Sequence, residues 1–262
     1  MKHSNDFVYN RRRQIYNILR TQGEVRVDVT ASSFGVSPLT IRRDLEHFEN
    51  MGLVERFYGG ARLTKTEPNE NIFSSPLDLN KQAIARRAAS FVEDGDIIFI
   101  NTSSTALLML DYIEAQHVTV VTNNGNALTC NIRNNLTVVL TGGEIRIPKE
   151  SMVGAFAINN LNMVTAAKSF LGVSGLSAQA GLSTAVLQEV AIDKIMLERV
   201  TGKRTILADF TKIGLSNKFI SGSISDVDRL VTDMQADPWI LNEFLELGVE
   251  VVQVDPFQEL NK

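Results

Sequence analysis

Apolar residues recur with a helical period over the first fifty positions of the chain. Residues 11–23 and 27–35 each carry an apolar face and end at a glycine, which is typical of short helices. A third helix is predicted from Ser37, a good N-cap, and from Pro38 at the first helical position. Its core-facing stripe has the spacing i, i+4, i+7 and comprises Ile41, Leu45 and Phe48.

The pattern changes to two short strands after the third helix. The segments LVERF (53–57) and ARL (61–63) flank a Tyr-Gly-Gly turn and predict a hairpin. Three helices and a hairpin make a winged helix-turn-helix domain over residues 1–63. Residues 64–79 are mostly polar and contain two prolines, which is typical of a linker.

Beyond residue 80, apolar β-branched runs alternate with amphipathic helical stretches. This alternation is typical of an α/β domain with a mostly parallel sheet, here residues 80–262. The predicted strands are IIFI (97–100), VTVV (118–121), TVVL (137–140), SFLGV (169–173), TILA (205–208), RLVT (229–232) and VEVVQV (249–254).

The third helix places its two arginines on different sides. If Ile41 faces the core, a turn of ~100° per residue points Arg43 outward and puts Arg42 and Thr40 on the flanks. The third helix of the domain corresponds to the second helix of the helix-turn-helix motif, whose N-terminal part contacts base edges. Arginine can form a bidentate contact with guanine or with phosphate. We expect Arg43 to contact a base. We expect Arg42 to contact a phosphate or to form an ion pair within the domain, for example with Glu46.

The predicted wing has cations of its own. Arg56 and Arg62 flank the turn, whose glycines permit positive φ and close approach to a backbone. The three arginines at 11–13 either contact phosphate or form a solvated helix start. The predicted DNA-binding residues are Ser37, Leu39, Thr40, Arg42, Arg43, His47, Arg56, Tyr58, Gly59, Gly60 and Arg62.

Charge is distributed unevenly along the chain. Residues 1–62 carry ten Lys or Arg against seven Asp or Glu, whereas the remainder has a balance of −7. A basic N-terminal segment joined to an acidic remainder is typical of proteins that bind a polyanion with the basic segment, although such a difference in charge also arises by chance. The single cysteine excludes an intrachain disulfide, the three histidines lack metal-ligand spacing, and no apolar run reaches the ~20 residues of a membrane span. We therefore expect a cytoplasmic protein without a metal or other cofactor.

Polar turns follow four of the predicted strands, and strand ends are where α/β sheets hold ligands. The hydroxyl-rich turn 101–105 opens a helix, whose free N–H groups suit a phosphate. Each turn alone could be an ordinary cap, but four at successive strand ends favour a shared pocket. The predicted ligand-binding residues are Asn101, Thr102, Ser103, Ser104, Thr105, Thr122, Asn123, Gly142, Gly143, Glu144, Asp209 and Lys212.

The segment VSPLTIRRDLEHFENMGLVERFYGGA (36–61) resembles the N-terminal signature of the DeoR family of bacterial transcription regulators. That family's effector domain is similar in fold to ribose-5-phosphate isomerase and glucosamine-6-phosphate deaminase. The resemblance implies a repressor of a carbohydrate-utilisation operon that binds double-stranded operator DNA and responds to a phosphorylated sugar or related metabolite. The later motifs that resemble the family are TN (122–123), GGE (142–144), VG (153–154), GL-T (181–184) and D-x-T-K (209–212).

Four positions depart from the family pattern. Phe48 replaces leucine and Tyr58 replaces histidine, and neither change removes a cation or a glycine. In the first loop the family usually has Asp-x-Gly-Ser/Thr-Thr, where this chain has Asn101 and Ser103. The hydroxyls of Thr102, Ser104 and Thr105 remain, so we still expect a phosphate contact at this loop. Loss of the acid changes which group a sugar hydroxyl would contact.

Two other functions fit parts of the sequence. A sugar-phosphate isomerase or deaminase needs a general base; Glu144, Glu189, Asp193 and Asp209 are available, but their spacing marks none of them. That account leaves the DNA-reading helix without a role, so we expect no enzyme activity. The second alternative is a DNA-binding protein whose C-terminal domain only oligomerises. A homodimer or higher oligomer is expected because helix-turn-helix proteins usually read paired half-sites.

Overall fold

The chain divides into two compact units, residues 1–75 and 76–262. The second unit begins four residues before the predicted domain, because Pro76 opens a helix inside the predicted linker. Residues 65–75 of that linker lie outside the described residues, as does Arg13. The computed structural model describes residues 11–12, 14–16, 18–19, 22–50, 53–64, 76–147 and 149–260.

The first unit combines helices with a small antiparallel sheet. The described residues between 11 and 22 are helical and form α1. The elements that follow are β1 (Glu24–Arg26), α2 (Val27–Phe34), α3 (Pro38–Asn50), β2 (Val54–Phe57) and β3 (Gly60–Leu63). Strand β3 pairs with β2, which confirms the predicted hairpin, and also with β1, which adds a third strand to the wing.

The predicted stripe of α3 forms the centre of this unit's core. Its members Ile41, Leu45 and Phe48 are at most 1 % exposed. The Ser37 hydroxyl accepts a hydrogen bond of 3.2 Å from the backbone amide of Thr40 and so caps the start of α3. Thr40 is half-buried. Burial of the apolar stripe leaves the opposite side of α3 facing solvent.

The second unit is an α/β domain. Its strands are β4 (Ile97–Ile100), β5 (Val118–Thr122), β6 (Leu136–Leu140), β7 (Glu144–Arg146), β8 (Ser151–Val153), β9 (Lys168–Gly172), β10 (Gly175–Ser177), β11 (Gly181–Thr184), β12 (Arg204–Leu207), β13 (Phe219–Gly222), β14 (Arg229–Asp233) and β15 (Glu250–Val254). Its α-helices are α4 (Pro76–Ala89), α5 (Ser104–Leu107), α6 (Gly154–Asn162), α7 (Leu187–Glu198), α8 (Pro238–Glu246) and α9 (Pro256–Glu259). Among the described helices, none combines the length and the apolar character needed to cross a bilayer.

Seven parallel strands form the main sheet, in the order β15-β14-β12-β9-β4-β5-β6. They are the seven apolar runs predicted as strands, so the parallel α/β prediction is confirmed. Each face of the sheet has its own core: Ile98 and Ile100 pack beside α4, while Phe99 packs beside α6 and α7. This alternation follows from the two-residue period of a strand.

The order of the strands reverses beside β4. The chain runs from β4 to β5 and β6 on one side, and then returns to β9 and β12 on the other. At such a switch point the adjoining loops leave in opposite directions and open a crevice at the carboxyl ends of the strands. The fold therefore places residues 101–105, which follow β4, at the position where a ligand is held in sheets of this kind.

Candidate functional site

The outer side of α3 presents two arginines to solvent. Arg42 and Arg43 are exposed, as are Leu39 and His47. Among the described residues, neither arginine has a hydrogen bond or ion pair, so the local pair with Glu46 does not form. Both guanidinium groups are therefore free to fork onto a base edge or a phosphate.

Asp44 lies on the inner side of α3 and accepts hydrogen bonds from two arginines of α1. Its side chain is 2 % exposed; Arg11 Nε lies 2.7 Å from one carboxylate oxygen and Arg12 Nε lies 2.8 Å from the other. The sequence predicts a phosphate or solvent contact for these arginines, and the structure corrects this, because they hold α1 against α3. Partial burial and the charge of Arg12 lower the pKa of His47, with Asp44 opposing them. His47 is therefore mostly neutral at pH 7.

The tip of the wing needs both of its glycines, for different reasons. Tyr58 is fully exposed at the tip. Gly59 has φ +84°, a conformation that favours glycine. A Cβ on Gly60 would clash with the carbonyl oxygen of Val25 and the ring of Phe57, so this glycine allows β3 to lie against β1.

The wing arginines are exposed and ion-paired. Arg56 Nε lies 2.7 Å from Glu49 of α3, and Arg62 Nη2 lies 3.1 Å from Glu55 of β2. Exposed pairs of this kind contribute only about 0–1 kcal/mol. A phosphate group can therefore compete for either guanidinium.

In the second unit, a cavity of about 700 Å³ opens at the carboxyl ends of parallel strands. Residues that follow β4, β5, β9 and β12 line it, together with residues of α4 and α7. The structure thus brings together several of the predicted turns. The predicted ligand-binding residues that line the cavity are Asn101, Thr102, Ser103, Ser104, Thr105, Asp209 and Lys212.

The other predicted residues shape neighbouring loops instead of lining the cavity. They are Thr122, Asn123, Gly142, Gly143 and Glu144. The Asn123 amide donates to the carbonyl of Met152 at 3.1 Å. Gly143 has φ +114° and lies against the carbonyl of Val153, where a Cβ would not fit. This turn packs against β8 because β7 and β8 pair with each other.

Several residues that line the cavity lie outside the sequence prediction. Glu189 and Asp193 had a detectable signal, because they are acids spaced i, i+4 in, and directly before, the mostly apolar segment VAIDKIML (190–197). The sequence offered them only as bases for the enzyme alternative. The lysines have no such signal, because the folding of α4 and of the loop after β7 brings them to the cavity. The residues in question include Lys81, Asn126, Lys149, Ser174, Thr184, Glu189 and Asp193.

Asn101 joins the ends of β4 and β9. Its Nδ2 donates to the carbonyl of Gly172 and to Oδ1 of Asp193, each at 2.9 Å. Its Oδ1 accepts from the amides of Gly172 at 3.0 Å and Ser103 at 3.2 Å. These contacts occupy both amide hydrogens and both lone pairs of the side chain. Asn101 therefore fixes the loop and Asp193, and has no hydrogen-bonding capacity left for a ligand.

Ser103 adopts an ordinary backbone conformation at the family's glycine position. Its φ is −65°, and its hydroxyl accepts a hydrogen bond of 3.3 Å from the amide of Ala106, which caps α5. A Cβ on Gly172 would clash with the Ser103 side chain, so the missing side chain on β9 provides the space. The loop therefore accommodates the departure from glycine without strain.

The turn after β12 begins with a residue that is bonded within the turn, Asp209, and ends with one that has no ion pair among the described residues, Lys212. Asp209 is 2 % exposed and caps a short 3-10 helix (Phe210–Lys212) by accepting from the amide of Thr211 at 3.0 Å and from its hydroxyl. Lys212 is half-buried and has no ion pair among the described residues. Lys212 is thus available to a ligand, whereas much of the bonding capacity of Asp209 is used by the turn.

The cavity is lined by more acids than bases, but its lysines are unpaired. Lys81, Lys149 and Lys212 form no ion pair within the described chain. The backbone amides of Thr102, Ser104 and Thr105 likewise have no acceptor among described residues. Free ammonium and amide groups suit an anion such as phosphate. The carboxylates that line the cavity belong to Asp78, Asp111, Glu150, Glu189, Asp193 and Asp209.

Asp193 titrates near neutrality. Burial raises the pKa of Asp193 to about 7; the hydrogen bond from Asn101 opposes this, the charge of Glu189 adds to it, and Ser221 and Lys149 oppose it. The carboxyl is therefore partly protonated at neutral pH.

Among the described residues, no group of three His, Cys, Asp or Glu side chains is arranged to hold a metal ion.

Both units match known protein families. The DeoR-like helix-turn-helix domain matches residues 11–67, and the DeoR C terminal sensor domain matches residues 78–234. The uncharacterised regulator YulB of Bacillus subtilis is 31 % identical over 251 residues, which cover 94 % of this chain and 97 % of that protein. The glycerol-3-phosphate regulon repressor of Escherichia coli is 28 % identical over 223 residues, covering 84 % and 88 %. The lactose phosphotransferase system repressor of Streptococcus mutans is 30 % identical over 232 residues, covering 86 % and 91 %.

The similarity to solved structures is weaker. Ribose 5 phosphate isomerase A from Neisseria gonorrhoeae has a TM-score of 0.38 and 18 % identity, covering 53 % of this chain and 54 % of that chain. A likeness of this size does not bear on the chemistry of the cavity. The relatives over nearly the whole chain are transcription regulators, which does not support the enzyme alternative. With both of its units matched, the chain belongs to the DeoR family of transcription regulators.

Proposed function

We propose that this protein represses a carbohydrate-utilisation operon by binding its operator, and that a phosphorylated sugar or related metabolite releases it. The observation that carries the proposal is the cavity, in which unpaired lysines and free backbone amides meet at the carboxyl ends of parallel strands. Relatives named as repressors of a glycerol-3-phosphate regulon and of a lactose phosphotransferase system are in keeping with such an effector.

On the DNA side, Arg43 contacts a base edge and Arg42 contacts a phosphate. Their exposure and lack of partners among the described residues support these roles. The wing, with Tyr58 at its tip, lies along the backbone and exchanges the ion pairs of Arg56 and Arg62 for phosphate contacts. A homodimer or higher oligomer in the cytoplasm reads two half-sites, as is usual for helix-turn-helix proteins.

On the ligand side, the phosphate binds Lys212 and the free amides of Thr102, Ser104 and Thr105. The strand-end position and the free N–H groups support this placement. The acids that outnumber the lysines of the cavity accept hydrogen bonds from the rest of the effector, which is rich in hydrogen-bond donors. Specificity then depends on the acids, while the phosphate supplies a large part of the affinity.

Two measurements test the proposal. Affinity for the DNA that precedes the protein's own gene should fall with salt, with a log–log slope near −0.9 for each phosphate contacted. In thermal unfolding, a bound effector at ~100 times its Kd should add about 2.7 kcal/mol to the stability of the folded protein. Salt-independent DNA binding would contradict the first half. No stabilisation by any triose, pentose or hexose phosphate would contradict the second and favour a domain that only oligomerises.

A further inference from the structure

Two buried carboxylates lie side by side in the wall of the cavity. Glu189 and Asp193 are 6 % and 5 % exposed and both line the cavity. They are four residues apart in α7, a spacing that puts them on the same face of the helix. The wall therefore holds two acidic groups that have been removed from bulk water but still face the space for a ligand.

The partners of these carboxylates carry no charge. Glu189 accepts hydrogen bonds from the hydroxyls of Thr184 at 2.8 Å and Thr102 at 3.4 Å, and Asp193 accepts from the Asn101 amide at 2.9 Å. Neither acid has an ion pair among the described residues. Lys149, which also lines the cavity, acts on Asp193 only through space. Buried acids are usually paired with a cation, so this wall lacks positive charge.

One hydroxyl group that lines the cavity has no hydrogen-bond partner among the described residues. Thr105 is 5 % exposed and lines the cavity, and its hydroxyl makes no hydrogen bond to any described residue. Because the oxygen of this hydroxyl is not itself buried, the group is free to bond to water or to a ligand in the cavity. Its position beside the free amides of Thr102 and Ser104, together with its own free amide, adds it to the phosphate end of the cavity.

We propose that the Glu189–Asp193 wall binds a protonated amine, so that the effector is a phosphorylated amino sugar or amino polyol. An ammonium donates up to three hydrogen bonds and brings the missing positive charge, whereas a hydroxyl in the same place donates one and brings none. Asn101 is a positioning residue, because its saturated amide holds the Asp193 carboxylate in the wall. This inference rests on the proposed function, in which the phosphate binds at the lysines and free amides.

Matched ligands test the inference by calorimetric titration of the full chain. Glucosamine 6-phosphate and glucose 6-phosphate differ only in an amine or a hydroxyl at one carbon. Phosphoethanolamine and ethylene glycol phosphate form a smaller pair with the same difference, and glucosamine without phosphate separates the two ends of the site. In at least one pair, we expect the amine to bind about tenfold to a hundredfold more tightly.

Two variants assign the preference to the wall. In Asp193→Asn the preference for the amine should fall to near one, while the Asn101 amide keeps an acceptor and the fold is retained. Glu198→Gln removes an exposed carboxylate from the same helix, outside the cavity, and should leave the preference unchanged. Thermal unfolding of each variant, compared with that of the parent protein, reports that the second unit is folded.

The outcomes separate this inference from the function on which it rests. Equal binding of amine and hydroxyl members, or tighter binding of the hydroxyl member, would overturn the amine site and leave the phosphate effector standing. A preference that survives Asp193→Asn would also overturn it. If no phosphorylated member of either pair binds, the inference fails; if triose and pentose phosphates also fail to bind, the proposed function fails with it.

Discussion

Arg11 donates a 2.7 Å hydrogen bond from Nε to the carboxylate of Asp44, which is almost fully buried beneath the exposed arginines of α3. Asp44 thus shares one short segment with Arg42 and Arg43 but faces the opposite way. The arginines of α1 bind the inner side of α3, so these contacts within the first unit fix which side of α3 faces solvent.

Removing the charge of Asp44 should destabilise the first unit. In Asp44→Asn, Arg11 and Arg12 keep their charges but lose their anionic partner, and we expect a loss of roughly 1–3 kcal/mol because the arginines are partly solvated. Urea unfolding and operator affinity measure the effect. Glu46→Gln, on the exposed side of α3, is the matched control and should leave the stability near its original value. Equal stability of the two variants would show that the buried pairs contribute nothing.

The two exposed arginines should have separable effects on DNA binding. Arg43→Ala should cost roughly 1–3 kcal/mol on the specific operator and relax the preference at one base pair, because a base contact is lost. Arg42→Ala should weaken binding to all sequences and reduce the salt slope by about 0.9. Competition with operators altered at single positions distinguishes the two effects. If Arg43→Ala leaves the order of preferred sequences unchanged, Arg43 does not read a base.

Lys212 should matter for induction and not for DNA binding. We expect Lys212→Ala to retain operator affinity but to require a higher effector concentration for release, because the cavity loses an unpaired cation. Lys218→Ala, an exposed lysine outside the cavity, is the control and should behave as the parent protein does. Unfolding of Lys212→Ala would instead assign this residue a structural role, and an unchanged release curve would exclude it from the site.

Asp193 should make the second unit less stable as the pH rises. Burial raises its folded pKa from 3.8 to about 7, so the protonated form stabilises the fold below pH ~4, and this contribution is lost as the pH rises through 7. The groups that act on it are Asn101, Glu189, Ser221 and Lys149. Asp193→Asn removes the loss, so its stability relative to the parent should grow by up to about 4 kcal/mol between pH ~4 and ~8. Urea unfolding at several pH values measures this difference, and a pH-independent difference would contradict the assignment.

The sequence predicts most of the scaffold because its signals are local. The seven strands of the main sheet are rich in apolar and β-branched residues, and the stripe of α3 follows the helical period. Strand β1 escaped prediction because three residues are too short for a pattern, and β10 and β11 because small and polar residues dominate them. These strands form only because other segments pair with them.

The site was less predictable because its parts are distant in the sequence. Asn101 lies in a polar turn that the sequence predicts to bind a ligand, but its hydrogen-bond partners lie 71 and 92 residues away, on β9 and α7. The sequence therefore predicts the loop at 101–105 as part of the site, but it does not predict that Asp193 is held by this loop. The turn at 142–144 shows the converse, because its glycines suit a ligand site and instead allow β7 to pack beside β8.

Release of the operator by a phosphorylated effector is tested most directly by titrating the operator complex with candidate effectors. Fluorescence anisotropy of labelled DNA from upstream of the protein's own gene follows the full chain as phosphorylated sugars, with and without an amine, are added. A random duplex of equal length corrects for ionic strength. We expect at least one phosphorylated compound to release the operator at a concentration at which its unphosphorylated form does not. Operator affinity that is unchanged by every phosphorylated compound would contradict this expectation.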